Sequence, residues 1–151
     1  MKYIIIITLI SIFVGCSEAK EKGQKEEVVE NVQEIAISSS ESAPHEIDGC
    51  SCYFSLSKND FEAGKFIYFD DFGEKAFVII NGQQEELSIK SFEADVEKMK
   101  IETWFNDSYT INIEMKQDGQ IDETWQYKGS LEIISKDNQS EIVDLVGECG
   151  C

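Results

Sequence analysis

From residue 49 onward, hydrophobic side chains recur at every second position. Tyr109, Ile111, Ile113 and Met115 alternate with Thr110, Asn112 and Glu114, the period of a strand that buries one face. Trp125, Tyr127, Gly129, Leu131 and Ile133 repeat it over a longer run, with Gly129 marking a bulge or a close backbone approach. Shorter strand candidates lie at 52–56, 66–69, 76–80, 86–89, 101–105 and 141–146. Asp71-Phe72-Gly73-Glu74 separates two of them, and Asn81-Gly82 and Asp118-Gly119 read as hairpin tips. Only 92–100 lacks the alternation and is expected to form a helical turn. Seven or eight short strands joined by tight turns predict an all-β domain, a small antiparallel sandwich or barrel.

The first 48 residues follow another pattern. Lys2 precedes an apolar run, Tyr3 to Val14, broken only by Thr8 and Ser11. A membrane-spanning helix needs about 20 apolar residues, so this run has the length of a signal-peptide core. It ends in Phe13-Val14-Gly15-Cys16, followed at once by polar sequence. This resembles the lipobox of bacterial lipoproteins, although leucine is usual where Phe13 stands. The resemblance implies that residues 1–15 are a cleaved signal peptide and that Cys16 is the lipidated (palmitate-bearing) N-terminus of the mature chain. It also implies a place in the bacterial cell envelope, attached to a membrane by lipid and facing the periplasm or the exterior. Several acyl chains on one cysteine hold firmly where a single chain does not.

Between residues 17 and 48, nine carboxylates face only Lys20, Lys22 and Lys25, no aromatic residue occurs, and serines cluster before Pro44. Such a segment buries too little apolar surface to offset its ordering entropy. Residues 16–48 are therefore expected to be a disordered acidic tether, with a short helix over 28–37 the only element its spacing allows. His45 reads as a solvated residue of that tether. The globular domain is expected over 49–151.

Cys50 and Cys52 open this domain, and Cys149 and Cys151 close the chain. Residues i and i+2 of a strand share a face, so each pair presents two sulfurs side by side. Export to an oxidising compartment makes disulfides the leading reading. Antiparallel terminal strands would join Cys50 to Cys151 and Cys52 to Cys149. Parallel ones would join Cys50 to Cys149 and Cys52 to Cys151, and the antiparallel character of the rest favours the former. The rival is a soft-metal site for zinc or copper(I) on the four thiolates, although zinc knuckles space their cysteines more widely. A redox pair would prefer Cys-x-x-Cys.

Charge excludes more than it assigns. Thirty acidic residues stand against 13 lysines, with no arginine and one histidine, for a net charge of −17. Such a chain is a poor partner for nucleic acid. A lone His45 leaves little room for Ser-His-Asp or Cys-His catalysis, and no catalytic residue, metal ligand or cofactor is assigned. Asp70-Asp71, Glu85-Glu86 and Asp122-Glu123 lack EF-hand spacing, so they read as solvated acidic turns and outer faces rather than a calcium or glycosidase site. Trp104, Phe105, Tyr109, Trp125 and Tyr127 would be core or, if exposed, a binding platform.

Nine lysines against 21 carboxylates leave the domain itself at −12. This points to a non-enzymatic binding module for a cationic protein or peptide. In broad architecture the chain is similar to the membrane-bound lysozyme inhibitors, lipoproteins with small disulfide-containing β-barrels that bind a basic enzyme. Their inhibitory loop has no counterpart here, and no inhibitory residue is carried over. The alternatives are a structural or assembly lipoprotein that pairs through an exposed sheet edge, and the soft-metal binder.

Overall fold

The computed structural model describes residues 34–94 and 98–151. The expected signal peptide, the lipobox-like motif with Cys16 and the first half of the expected tether lie outside the described residues. Eight strands follow: β1 (Ser51–Ser55), β2 (Tyr68–Asp70), β3 (Lys75–Ile80), β4 (Gln83–Ala94), β5 (Met99–Phe105), β6 (Tyr109–Ile121), β7 (Thr124–Ser135) and β8 (Ser140–Gly150). Each pairs antiparallel with its neighbours in sequence, and β8 returns to β1, which closes a barrel. Every predicted run is a strand, and closure makes the sheet a barrel rather than a sandwich.

Period-two alternation sets the barrel's inside. Phe54, Tyr68, Val78, Leu87, Trp104, Ile111, Ile113, Met115, Leu131, Ile133 and Leu145 form one interior cluster. Strands β6 and β7 approach so closely that a Cβ on Gly129 would lie 1.9 Å from the Glu114 carbonyl oxygen. A similar approach of β8 to β1 leaves 2.1 Å between a Cβ on Gly147 and the Tyr53 carbonyl oxygen.

Three local expectations change. Of residues 92–100, those described form no helical turn, because β4 runs to Ala94 and β5 starts at Met99. A register shift between Ile89 and Ser91 resets the alternation of β4, which hid the strand from a period search. Asp118-Gly119 is no hairpin tip either. It lies inside β6, where the register shifts between Gln117 and Gly119. The turn comes later, at Asp122, whose φ of 53° is a left-handed conformation that aspartate tolerates. The short helix α1 (Lys58–Glu62) was not expected, having no apolar period. It starts at Ser57, whose hydroxyl oxygen accepts the Asp60 N–H.

The largest correction concerns the tether, which does not extend to residue 48. Residues 34–48 lie on the barrel as a strap, and 34–37 are not helical. Ile35 is buried in the interior cluster and Ile37 packs against it, beside the β3–β4 hairpin. Asn81 fixes this contact: its N–H donates to the Ala36 carbonyl (2.7 Å) and its Oδ1 accepts the Ala36 N–H (2.9 Å). Ser38 N–H donates to the Ile79 carbonyl, and Ser40 and Phe66 exchange backbone bonds. Further along, Ala43 and Ile47 cover the outward-facing Phe69, Phe77 and Ile79. The reason lies in β3, where Ala76–Ile80 is apolar on both faces. Leaving such outward side chains in water would cost about 1.5–3 kcal/mol each, enough to order a polar segment that carries a few isoleucines.

Ile35→Ala is expected to lower unfolding stability by about 2 kcal/mol, read as a reduced urea midpoint. An unchanged midpoint would mean that the strap adds nothing to the fold.

Candidate functional site

The two ends of the barrel differ chemically. Ile35 and Ile37 pack at the β3–β4 hairpin end. At the opposite end, Asp70 of β2 stands in register with Cys52, which in turn faces Cys149. The inward positions there turn polar. On β5, Lys100, Glu102 and Trp104 share the inner face, and on β2 so do Tyr68 and Asp70.

Asp70, Lys100, Glu102 and Trp104 line a cavity of about 310 Å³ together with Phe72, Gly73, Ile89, Phe92 and Tyr127. Lys100 Nζ lies 2.9 Å from Glu102 Oε1, with the two side chains 15% and 4% exposed. Trp104 Nε1 donates to the other Glu102 oxygen at 3.0 Å. The same ammonium stands 5.4, 5.9 and 5.7 Å from the ring centroids of Phe72, Phe92 and Tyr127, a three-sided cation–π setting. Asp70 is 2% exposed. Its Oδ1 accepts the Phe72 N–H at 3.0 Å, while its Oδ2 and the Tyr68 hydroxyl have no hydrogen-bond partner.

Electrostatics follow from this crowding. Burial pushes the Asp70 carboxyl up to about 6 and the charge of Glu102 adds to the rise, with Lys100 and the Phe72 N–H opposing it only in part. Burial also raises the Tyr68 hydroxyl well above its usual range, helped by Asp70 and Glu102. Above pH 6 the described residues that line the cavity thus hold two carboxylates against one ammonium.

The rim is built by the β2–β3 turn. Asp71 Oδ1 accepts the N–H groups of Gly73 (2.8 Å) and Lys75 (3.2 Å), and Phe72 adopts a φ of 56°. A phenylalanine in that region is strained, and the turn holds its ring over the cavity. Phe72 and Phe92 are about half exposed, so the cavity opens between two solvent-facing aromatic rings.

The four terminal cysteines form Cys50–Cys151 and Cys52–Cys149, the antiparallel alternative. With all four sulfurs paired, the soft-metal reading has no thiolate ligand left. His45 is solvated beside Glu46. Glu86 pairs with Lys75, Glu85 accepts from Asn106, and Asp122 and Glu123 are exposed at a turn, as expected of acidic outer faces. Asp70 departs from that expectation by pointing inward. Of the aromatic set, Trp104 is core, Tyr109, Trp125 and Tyr127 are half-buried, and Phe105 is exposed on the outer wall.

Sequence reasoning missed the mouth because β5 misleads. Ile101 and Phe105, its apolar alternates, face solvent at 43% and 42% exposure, whereas Lys100 and Glu102 share the inner face with Trp104. The available signal was a tryptophan two residues beyond a glutamate and four beyond a lysine, all of one parity. Comparison with protein-family models, with curated proteins and with solved structures finds no match for the chain. Among the described residues no helix is long and apolar enough to cross a membrane.

Lys100→Met should destabilise the protein by about 3 kcal/mol, since it leaves Glu102 buried without its cation. A urea midpoint equal to that of the parent would show that the pair is not desolvated. Asp70→Asn should act oppositely. Because the native carboxyl titrates near 6 and the unfolded one near about 3.9, ionisation favours the unfolded chain by about 3 kcal/mol above pH 6 and by nothing below about pH 4. Asp70→Asn should therefore raise the urea midpoint at neutral pH, and the gain should fade on acidification from about pH 6 to about pH 4. A gain independent of pH would contradict the burial of this carboxylate.

Proposed function

We propose that the protein is an exported, lipid-anchored binding module of the bacterial envelope, whose barrel receives a cationic protein or peptide without acting on it chemically. The observation that carries this reading is the open end of the barrel. Two buried carboxylates face a single ammonium there, beneath the exposed rings of Phe72 and Phe92. Exposed aromatic rings around a desolvated charged pocket are typical anchors of a binding surface. The domain's excess of carboxylates would steer a basic partner toward that end. Resemblance to the membrane-bound lysozyme inhibitors supports the same class of partner at the level of architecture and lends no residue.

The assembly reading, by pairing through a sheet edge, is left only the overhanging stretches such as Ser140–Leu145 of β8, which pairs with β7 but lies beyond the end of β1. A depression of about 400 Å³ between α1 and the β7–β8 wall is a weaker alternative site. Its lysines are already matched, Lys58 with Glu62 and Lys128 with Asp118.

The immobilised chain should retain oligolysine and basic proteins at low ionic strength and release them at high salt. The screening length falls from about 30 Å at 0.01 M to about 3 Å at 1 M. Retention indifferent to salt, or none at low salt, would overturn the cationic-partner reading.

A further inference from the structure

The hydrogen-bonding capacity of the mouth is unevenly used. Both oxygens of Glu102 are committed, one to Lys100 and one to Trp104. Asp70 Oδ1 is committed to the Phe72 N–H. Asp70 Oδ2 and the Tyr68 hydroxyl, on the same face of β2, are both buried, and they lie close enough for the carboxylate to raise the hydroxyl, yet neither has a partner at hydrogen-bond distance. Buried acceptors without donors are costly, and folded proteins keep few of them. Here the unused acceptor belongs to the carboxylate in excess over the local cation, on a residue that lines an open cavity.

We infer that this cavity is a binding site for a primary alkylammonium group, with Asp70 Oδ2 as its acceptor and Phe72 and Phe92 closing over its methylene chain. The chemistry of the guest follows from what is free. A point-charge ammonium suits a single oxygen, whereas guanidinium prefers both oxygens of a carboxylate, and Oδ1 is already taken. A quaternary ammonium would find the rings but has no N–H for Oδ2. A bound metal ion is disfavoured, since among the described residues no three His, Cys, Asp or Glu side chains converge. At about 310 Å³ the cavity lies at the small end of ligand sites and fits an aminoalkyl chain. Lys100 already shows the pocket's preference, holding its ammonium among three rings and a carboxylate. The guest neutralises the remaining charge beside it.

This site deepens the proposed function and rests on it only for the source of the ammonium, which is either a lysine side chain of a polypeptide or a free amine. Calorimetric titration of the full chain, in a non-ionic detergent, with n-pentylamine and with Nα-acetyl-lysine amide tests it. Saturable binding with a dissociation constant of about 1 mM or tighter is expected, weaker for acetyl-arginine amide and weaker for tetramethylammonium. Asp70→Asn should lose about tenfold or more in affinity, whereas Asp107→Asn, exposed in the β5–β6 turn, should lose none. Absence of saturable binding, equal binding by tetramethylammonium, or undiminished affinity in the variant overturns the site.

Oligolysine separates this inference from the broader reading. If it competes with pentylamine in an Asp70-dependent way, the guest is a peptide lysine. If the small amines bind through Asp70 but oligolysine neither competes nor binds, the site stands with a free amine as its guest and the polypeptide reading falls. If oligolysine binds equally well to Asp70→Asn, the surface reading stands and the mouth site falls.

Discussion

The structure depends on the closure of β1 against β8. The five residues of β1 have to join the first hairpin to a strand that arrives almost a hundred residues later, and Cys52–Cys149 and Cys50–Cys151 fasten that junction across separations of 97 and 101. A bridge over a loop of that length is worth about 4–5 kcal/mol in the chain-entropy view, and the second adds less because the first has already closed the loop. Closure also pairs the first strand with the last, so β1 is no longer a sheet edge that would invite other strands.

Once the ring is closed, its two openings become separate problems. The strap answers one with isoleucines beside the β3–β4 hairpin, then continues over the outer face of β2 and β3. The other is left polar, with Asp70 and Glu102 held at 2% and 3% exposure. Burying carboxylates weakens a fold unless each is matched, and only one ammonium is present to do so. Stability given up around Asp70, together with the strained Phe72, is concentrated at the one place where the interior meets solvent between aromatic rings.

The disulfides and this polar end belong together. Cys52 is the register partner of both Asp70 and Cys149, so the staple fixes the wall from which Asp70 projects. A mouth built on a short strand such as β2, three residues long, gains rigidity from that neighbour.

Alternation of side chains placed the long strands β6 and β7 in advance, because burying one face of a pleated sheet writes a period of two into the sequence, while short apolar runs marked β2 and β3. The cysteine spacing likewise narrowed the staple to two pairings, and the antiparallel ladder settled which. What the chain did not disclose were features that depend on several strands at once. The bulge after Ile89 interrupts the period, and the strap is polar in composition yet covers a strand that is apolar on both faces. Asp70 resembles any acidic turn residue until β5 brings Glu102 and Lys100 beside it. Sequence determined which residues alternate, since that is a local property of the backbone. Only the closed barrel decided which parity faces inward at its open end, because burial there is set by the neighbouring strands and not by the polarity of the residue itself.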